Sequence, residues 1–117
     1  MAGAVVQQGQ RSLHVGALPD APLDAAAVFH HDVLPRARAA LAAGDDLALV
    51  FGPAAPSHHT WRLAVVQELA REATPRRVNG VAGPNGAALG EALEWLAAAP
   101  GVTGQLLEVD GKSPPMG

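Results

Sequence analysis

Leu47-Ala48-Leu49-Val50-Phe51 is an unbroken apolar run, bounded by Asp46 on one side and Gly52-Pro53 on the other. A run this short, closed at both ends by turn residues, fits a strand buried on both faces. Such a strand needs a covering layer on each side, which is the environment of a parallel sheet flanked by helices.

The flanking sequence supplies those helices. Upstream, Pro22 and Asp24 open a helical stretch to about Ala43, with Val28, Phe29, Val33, Leu34, Ala37 and Leu41 on one broad face. Pro35 interrupts it, removes an amide donor and predicts a kink, and Gly44 is placed to end it. Downstream, Ser57 is a potential cap for a helix reaching about Ala73. Its core stripe is read as Leu63, Val66, Leu69, Ala70 and Ala73. Trp61, Ala64 and Val65 form a second apolar strip, wider than one buried face requires. Residues 77–82 read as a further strand broken by Gly83-Pro84. Residues 85–99 read as a third helix ending at Pro100-Gly101, and 105–109 as a last strand. Residues 12–18 make the first of these strands, stopped by Pro19 and Asp20. Alternating strands and helices argue for a parallel sheet with helices packed on it.

At 117 residues the chain fits one domain, with 1–11 an edge strand or remnant, 12–110 the core and 111–117 a loose tail. Ala4 to Gln7, or another chain, is expected to cover the strand at 12–18, because an open sheet edge invites aggregation. A composition 49% hydrophobic and 16% charged permits a core, but two Phe, two Trp and no Tyr leave few large residues to fill it. With a net charge of −3 and no basic cluster beyond Arg76-Arg77, nucleic acid is not an expected partner. No stretch approaches the length of an apolar membrane span, so the chain reads as soluble and cytoplasmic. The absence of cysteine excludes disulfides, thiolate zinc sites and a cysteine nucleophile.

Three segments carry a family resemblance. They are Leu69-Ala70-Arg71-Glu72-Ala73-Thr74-Pro75-Arg76-Arg77-Val78-Asn79-Gly80-Val81-Ala82, Glu91-Ala92-Leu93-Glu94-Trp95-Leu96-Ala97, and Gly101-Val102-Thr103-Gly104-Gln105-Leu106-Leu107-Glu108-Val109-Asp110-Gly111. In order, spacing and chemistry they resemble the closing part of the short-chain dehydrogenase/reductase family. Phe29-His30-His31-Asp32-Val33-Leu34 and residues 47–52 extend the likeness more weakly. The resemblance implies an α/β, truncated Rossmann-like, three-layer fold. Its parallel sheet would have about four strands with three long helices, matching the family's fourth to seventh strands and lying side by side in sequence order as they do there.

The departures bear on activity. The family binds a nicotinamide cofactor at a glycine-rich turn after its first strand, and no such turn precedes residue 44. The family's Tyr acid/base falls at Ala55 and its Lys at His59, its Ser near Gly52, and its Asn at Asp32. The spacing before the Tyr position is also several residues short. Without a phenol, proton transfer cannot run as in the family. Gly83-Pro84 leads almost directly into the third helix, leaving no room for a substrate lid. The expectation is therefore a chain that binds no cofactor by itself and has no catalytic residues of its own.

Within that family, the helices matching 24–43 and 57–73 form a four-helix bundle across one two-fold axis. The helix matching 85–99 and the last strand build another two-fold interface. The resemblance thus implies an interface involving Phe29, Val33, Trp61, Ala64, Val65, Glu68 and Trp95. The expected partner is a second copy or a full-length reductase, which this subunit would stabilise or regulate. The alternative is a divergent enzyme or small-ligand-binding protein that reuses a pocket near Asp32 and His59. The pairs His30-His31 and His58-His59 are weak metal candidates, because adjacent helical residues point about 100° apart. The glycine-rich stretch 79–90 reads as turn and helix start, and Asp45, Asp46 and Asp110 as turn residues.

Overall fold

The computed structural model describes residues 5–7 and 9–110. The tail expected at 111–117, and Ala4, lie outside these residues. The strands are β1 (Val5–Gln7), β2 (Gln10–His14), β3 (Asp46–Phe51), β4 (Val78–Ala82) and β5 (Leu106–Glu108). They form one sheet in the order β1-β2-β3-β4-β5. The four strands β2 to β5 run parallel, and β1 folds back antiparallel on β2, with Val5 opposite Ser12. The edge of β2 is thus covered by the chain's own N-terminal segment, as the aggregation argument required.

The central run behaves as its composition dictates. Leu47, Leu49 and Phe51 enter a core on one face, and Val50 enters a core on the other. Successive side chains of a strand point to opposite faces, so a strand apolar at every position must be covered twice. The first face carries α1 (Pro22–Val28), a π-helical turn (Phe29–Val33), α2 (Leu34–Ala42) and α3 (His59–Ala73). The second carries α4 (Ala87–Ala97), whose Leu89 and Leu96 meet Val50 and Val81.

The stretch expected as one kinked helix over 24–43 is three pieces. In a continuous α-helix Pro35 could not donate, and its ring would press on the carbonyl of His31. The π turn absorbs this: the amide of Leu34 donates to the Phe29 carbonyl, one residue further back than in an α-helix, and Pro35 then sits in the first turn of α2. Ser57 does not cap α3. A 3-10 turn (Pro56–His58) begins one residue before it, and neither that turn nor α3 has a side-chain cap.

α3 crosses β4 so closely that a Cβ on Gly80 would lie 3.0 Å from both Val66 and Leu106. Buried polar groups pin the remaining joints. Asn79 donates to the Val102 carbonyl at 2.9 Å and accepts from the Gln105 amide at 3.0 Å, setting the path into β5. Gln10, at the start of β2, donates to the Leu93 carbonyl of α4 at 3.1 Å. Arg77 donates to Asp46, to the Leu96 carbonyl in the last turn of α4, and to the Ala99 carbonyl just beyond that helix. Asp45 and Asp46, read as turn residues, instead hold Arg11 at 3.1 Å and Arg77 at 2.9 Å. No helix of the described residues is long and apolar enough to cross a membrane.

Candidate functional site

The four parallel strands all end at one edge of the sheet, where open α/β sheets ordinarily bind ligands. The segments that follow β2, β3, β4 and β5 gather there, together with the first turn of α3. Three adjoining cavities of about 400, 350 and 270 Å³ open between them, and Arg62 lines all three.

Arg62 is only 7% exposed. Its helix turn carries it inward: Val66 and Leu69, four and seven positions on, are buried on the same face. Its guanidinium lies 4.7 Å from the centre of the Phe51 ring and 5.9 Å from that of Trp61. Nη1 donates to the Gly52 carbonyl at 3.0 Å, while Nε is buried with no partner among the described residues. Burial pulls Arg62 below the ordinary arginine value, and the Glu108 carboxylate pushes it back up. Arginine remains charged in proteins through shifts of this kind, so a cation stands at the junction of the cavities.

The two histidines beside it behave differently. His58 is buried, its Nε2 2.8 Å from the Asp20 carbonyl and its Nδ1 3.0 Å from Trp61 Nε1. An indole N–H only donates and a carbonyl only accepts, so these contacts fit the neutral tautomer protonated at Nε2. Both nitrogens are thereby committed. His59 is exposed, and its Nδ1 lies 2.9 Å from Glu108, joining the start of α3 to the end of β5.

Of the four positions matching the family's catalytic set, Gly52, Ala55 and His59 sit at this edge. Asp32 does not join them. It lies exposed on the π turn, its carboxylate is taken by adjacent His31, and it lines none of the three cavities. Asp32 and His59 thus share none of these three cavities, whereas Arg62 lines all of them. His30 is likewise engaged locally, donating to the Ala26 carbonyl at 2.7 Å. Among the described residues no group of three or more His, Cys, Asp or Glu is placed to hold a metal ion.

The residues expected at an interface divide into two sets. Phe29, Val33 and Val65 are buried in this chain's own core. Trp61 is half-buried, tilted against Phe29 and edge-on to Phe51 with ring centres 5.7 and 5.9 Å away. The strip read as outward-facing on α3 is thus turned inward in part, because α3 packs against α1 as well as β4 and needs the wider apolar face. Leu63, read as core, is only half-buried. Ala64 and Glu68 do face outward, where Glu68 pairs with Arg71. Trp95, on α4, is 56% exposed. Arg62 was missed by sequence reasoning, although its spacing to Val66 and Leu69 marked the buried face.

No curated protein and no solved structure matches this sequence. The family described as short chain dehydrogenase-like protein matches it over residues 13–109, from within β2 to the residue after β5. That span covers most of the chain and includes the whole sheet-edge site, so the chain belongs to the short chain dehydrogenase-like family.

Proposed function

We propose that this chain is a non-catalytic short-chain dehydrogenase-like subunit of the cytoplasm, assembling with a second copy or with a complete reductase. The observation that carries this reading is the pair of side chains at the family's acid/base positions. Ala55 has no proton to transfer, and His59 is engaged by Glu108 at 2.9 Å. An alanine cannot replace a phenol as acid or base, so the reductase step has no proton donor at that point.

Support for assembly comes from α4. Trp95 stands on its outer side between the exposed residues Glu91, Glu94 and Ala98, while Leu89 and Leu96 supply its core face. A two-fold contact through α4 would bury that indole in both copies at once. The outer side of α3 is a poorer surface, because Glu68–Arg71 and Arg38–Glu72 already pair its charges.

Sedimentation at tens of micromolar, with and without a co-expressed full-length reductase, tests the proposal. The expected result is a complex that Trp95→Arg dissociates without loss of fold. A chain that sediments as a monomer and captures no reductase would refute it. Calorimetric titration with NADH should show no micromolar binding to the chain alone.

A further inference from the structure

The geometry points to a binding site for a small monocarboxylate in the largest of these three sheet-edge cavities, with Arg62 as its anchor. The inference is independent of any subunit role.

A charged group withdrawn from water normally recovers its hydration through several hydrogen bonds. Arg62 has five N–H donors, and among the described residues it makes one hydrogen bond, to the Gly52 carbonyl. It is more than nine-tenths buried, and Nε has no partner at all. A structural arginine elsewhere in this chain shows the contrast: Arg77 reaches Asp46, Leu96 and Ala99 within 2.7–2.9 Å. Arg62 is held over Phe51 with most of its donor capacity unspent, facing cavities open to solvent.

The walls define what the cation would take. This cavity, about 400 Å³ and the largest of the three, has Val15, Leu18, Phe51 and Pro53 along its sides and Arg62 as its cation. A volume of this size suits a small organic molecule with an apolar body. The planar guanidinium is matched by a carboxylate, which can accept two parallel N–H donors. His58 offers nothing further, because Asp20 and Trp61 occupy both of its nitrogens.

Charge narrows the class. Glu108 lines the two smaller cavities beside Arg62, and Asp20 lines the largest. One cation flanked by these carboxylates tolerates a single negative charge and repels a dianion. A short alkanoate therefore fits better than a phosphate.

Butyrate and inorganic phosphate, titrated separately into the whole chain and followed by amide NMR shifts, decide the matter. Butyrate should move the amides of residues 15–20 and 52–55, saturating in the millimolar range or below. Arg62→Met should weaken butyrate at least about tenfold, a difference that NMR titration resolves readily. Gly52→Leu provides a second variant, because a Cβ added at Gly52 meets nothing within 4 Å and would project from the cavity wall without disturbing the core. It should also lose butyrate, and it decides the question if Arg62→Met does not fold. The inference is overturned if butyrate moves neither loop, if phosphate binds more tightly than butyrate, or if a folded variant binds butyrate as the wild type does.

Discussion

At the scale of single residues, neighbouring positions on α3 separate sharply. Val65 is 6% exposed and Ala64 faces solvent. Val65→Arg should cost on the order of 3–5 kcal/mol, the penalty of an uncompensated charge in a core. Ala64→Arg should stay within about 0.5 kcal/mol of wild type. Urea melts of the two variants check this, and equal midpoints would contradict the placement of α3. Phe29 is fully buried against Phe51 and Trp61, so Phe29→Ala should cost roughly 3–5 kcal/mol in the same assay. Gly83 is a different kind of constraint. Its φ of +151° disfavours other residues, and an added Cβ would fall 2.3 Å from the Val109 carbonyl oxygen. Gly83→Ala should therefore displace the end of β5, which the amide shift of Val109 would report. Arg62 was passed over in the sequence, although its i, i+4, i+7 spacing to Val66 and Leu69 put it on the buried face. What its donors lacked could not be read there at all, because hydrogen-bond partners come from segments distant in the chain.

At the scale of elements, the strands were read to within two residues at most of their boundaries, apart from 12–18. That strand forms earlier, as β2 over Gln10–His14. Gln10 was left outside that strand because a lone glutamine carries no periodic signal; only α4, more than eighty residues on, supplies the Leu93 carbonyl that makes its burial favourable. The division of the first long helix into α1, the π turn and α2 was signalled by Pro35, but a proline announces an interruption without specifying its form. α2 and α3 are then tied across their outer sides by Arg38, which donates to both oxygens of Glu72 at 2.8 Å. These hydrogen bonds, with the charge of Arg38 adding to them, hold Glu72 below the ordinary glutamate value of 4.5. A carboxylate with a depressed folded-state pKa stabilises fully above its unfolded value and loses that contribution as pH falls through the lower one. Acid titration of stability should thus show a small decline below about pH 4.5 that Arg38→Ala flattens. Added salt should weaken it too, since both side chains are exposed.

At the scale of the whole molecule, the alternation of apolar runs and amphipathic stretches was enough to give a parallel sheet covered by helices, and the family resemblance supplied the order of its strands. Which helix faces remain outward was harder to see. A helix packed on a sheet alone needs one apolar face, whereas α3 contacts both β4 and α1, and sequence periodicity cannot count neighbours. The apolar excess on α3 is therefore absorbed largely within the chain. Trp95 is different, and Trp95→Arg should leave the thermal midpoint within a few degrees of wild type while shifting sedimentation toward monomer. The Arg77 guanidinium has a further consequence. It fastens the start of β3, through Asp46, to the Leu96 carbonyl of α4 and the Ala99 carbonyl just past its end; α4 is the one helix packed on the second face among the described residues. A helix tethered in this way cannot lift from the sheet while the adjoining strands stay closed. Deuterium should then enter the amides of α4 and of β4 at matching rates, as one opening unit. With Arg77→Met the two should separate, α4 exchanging first.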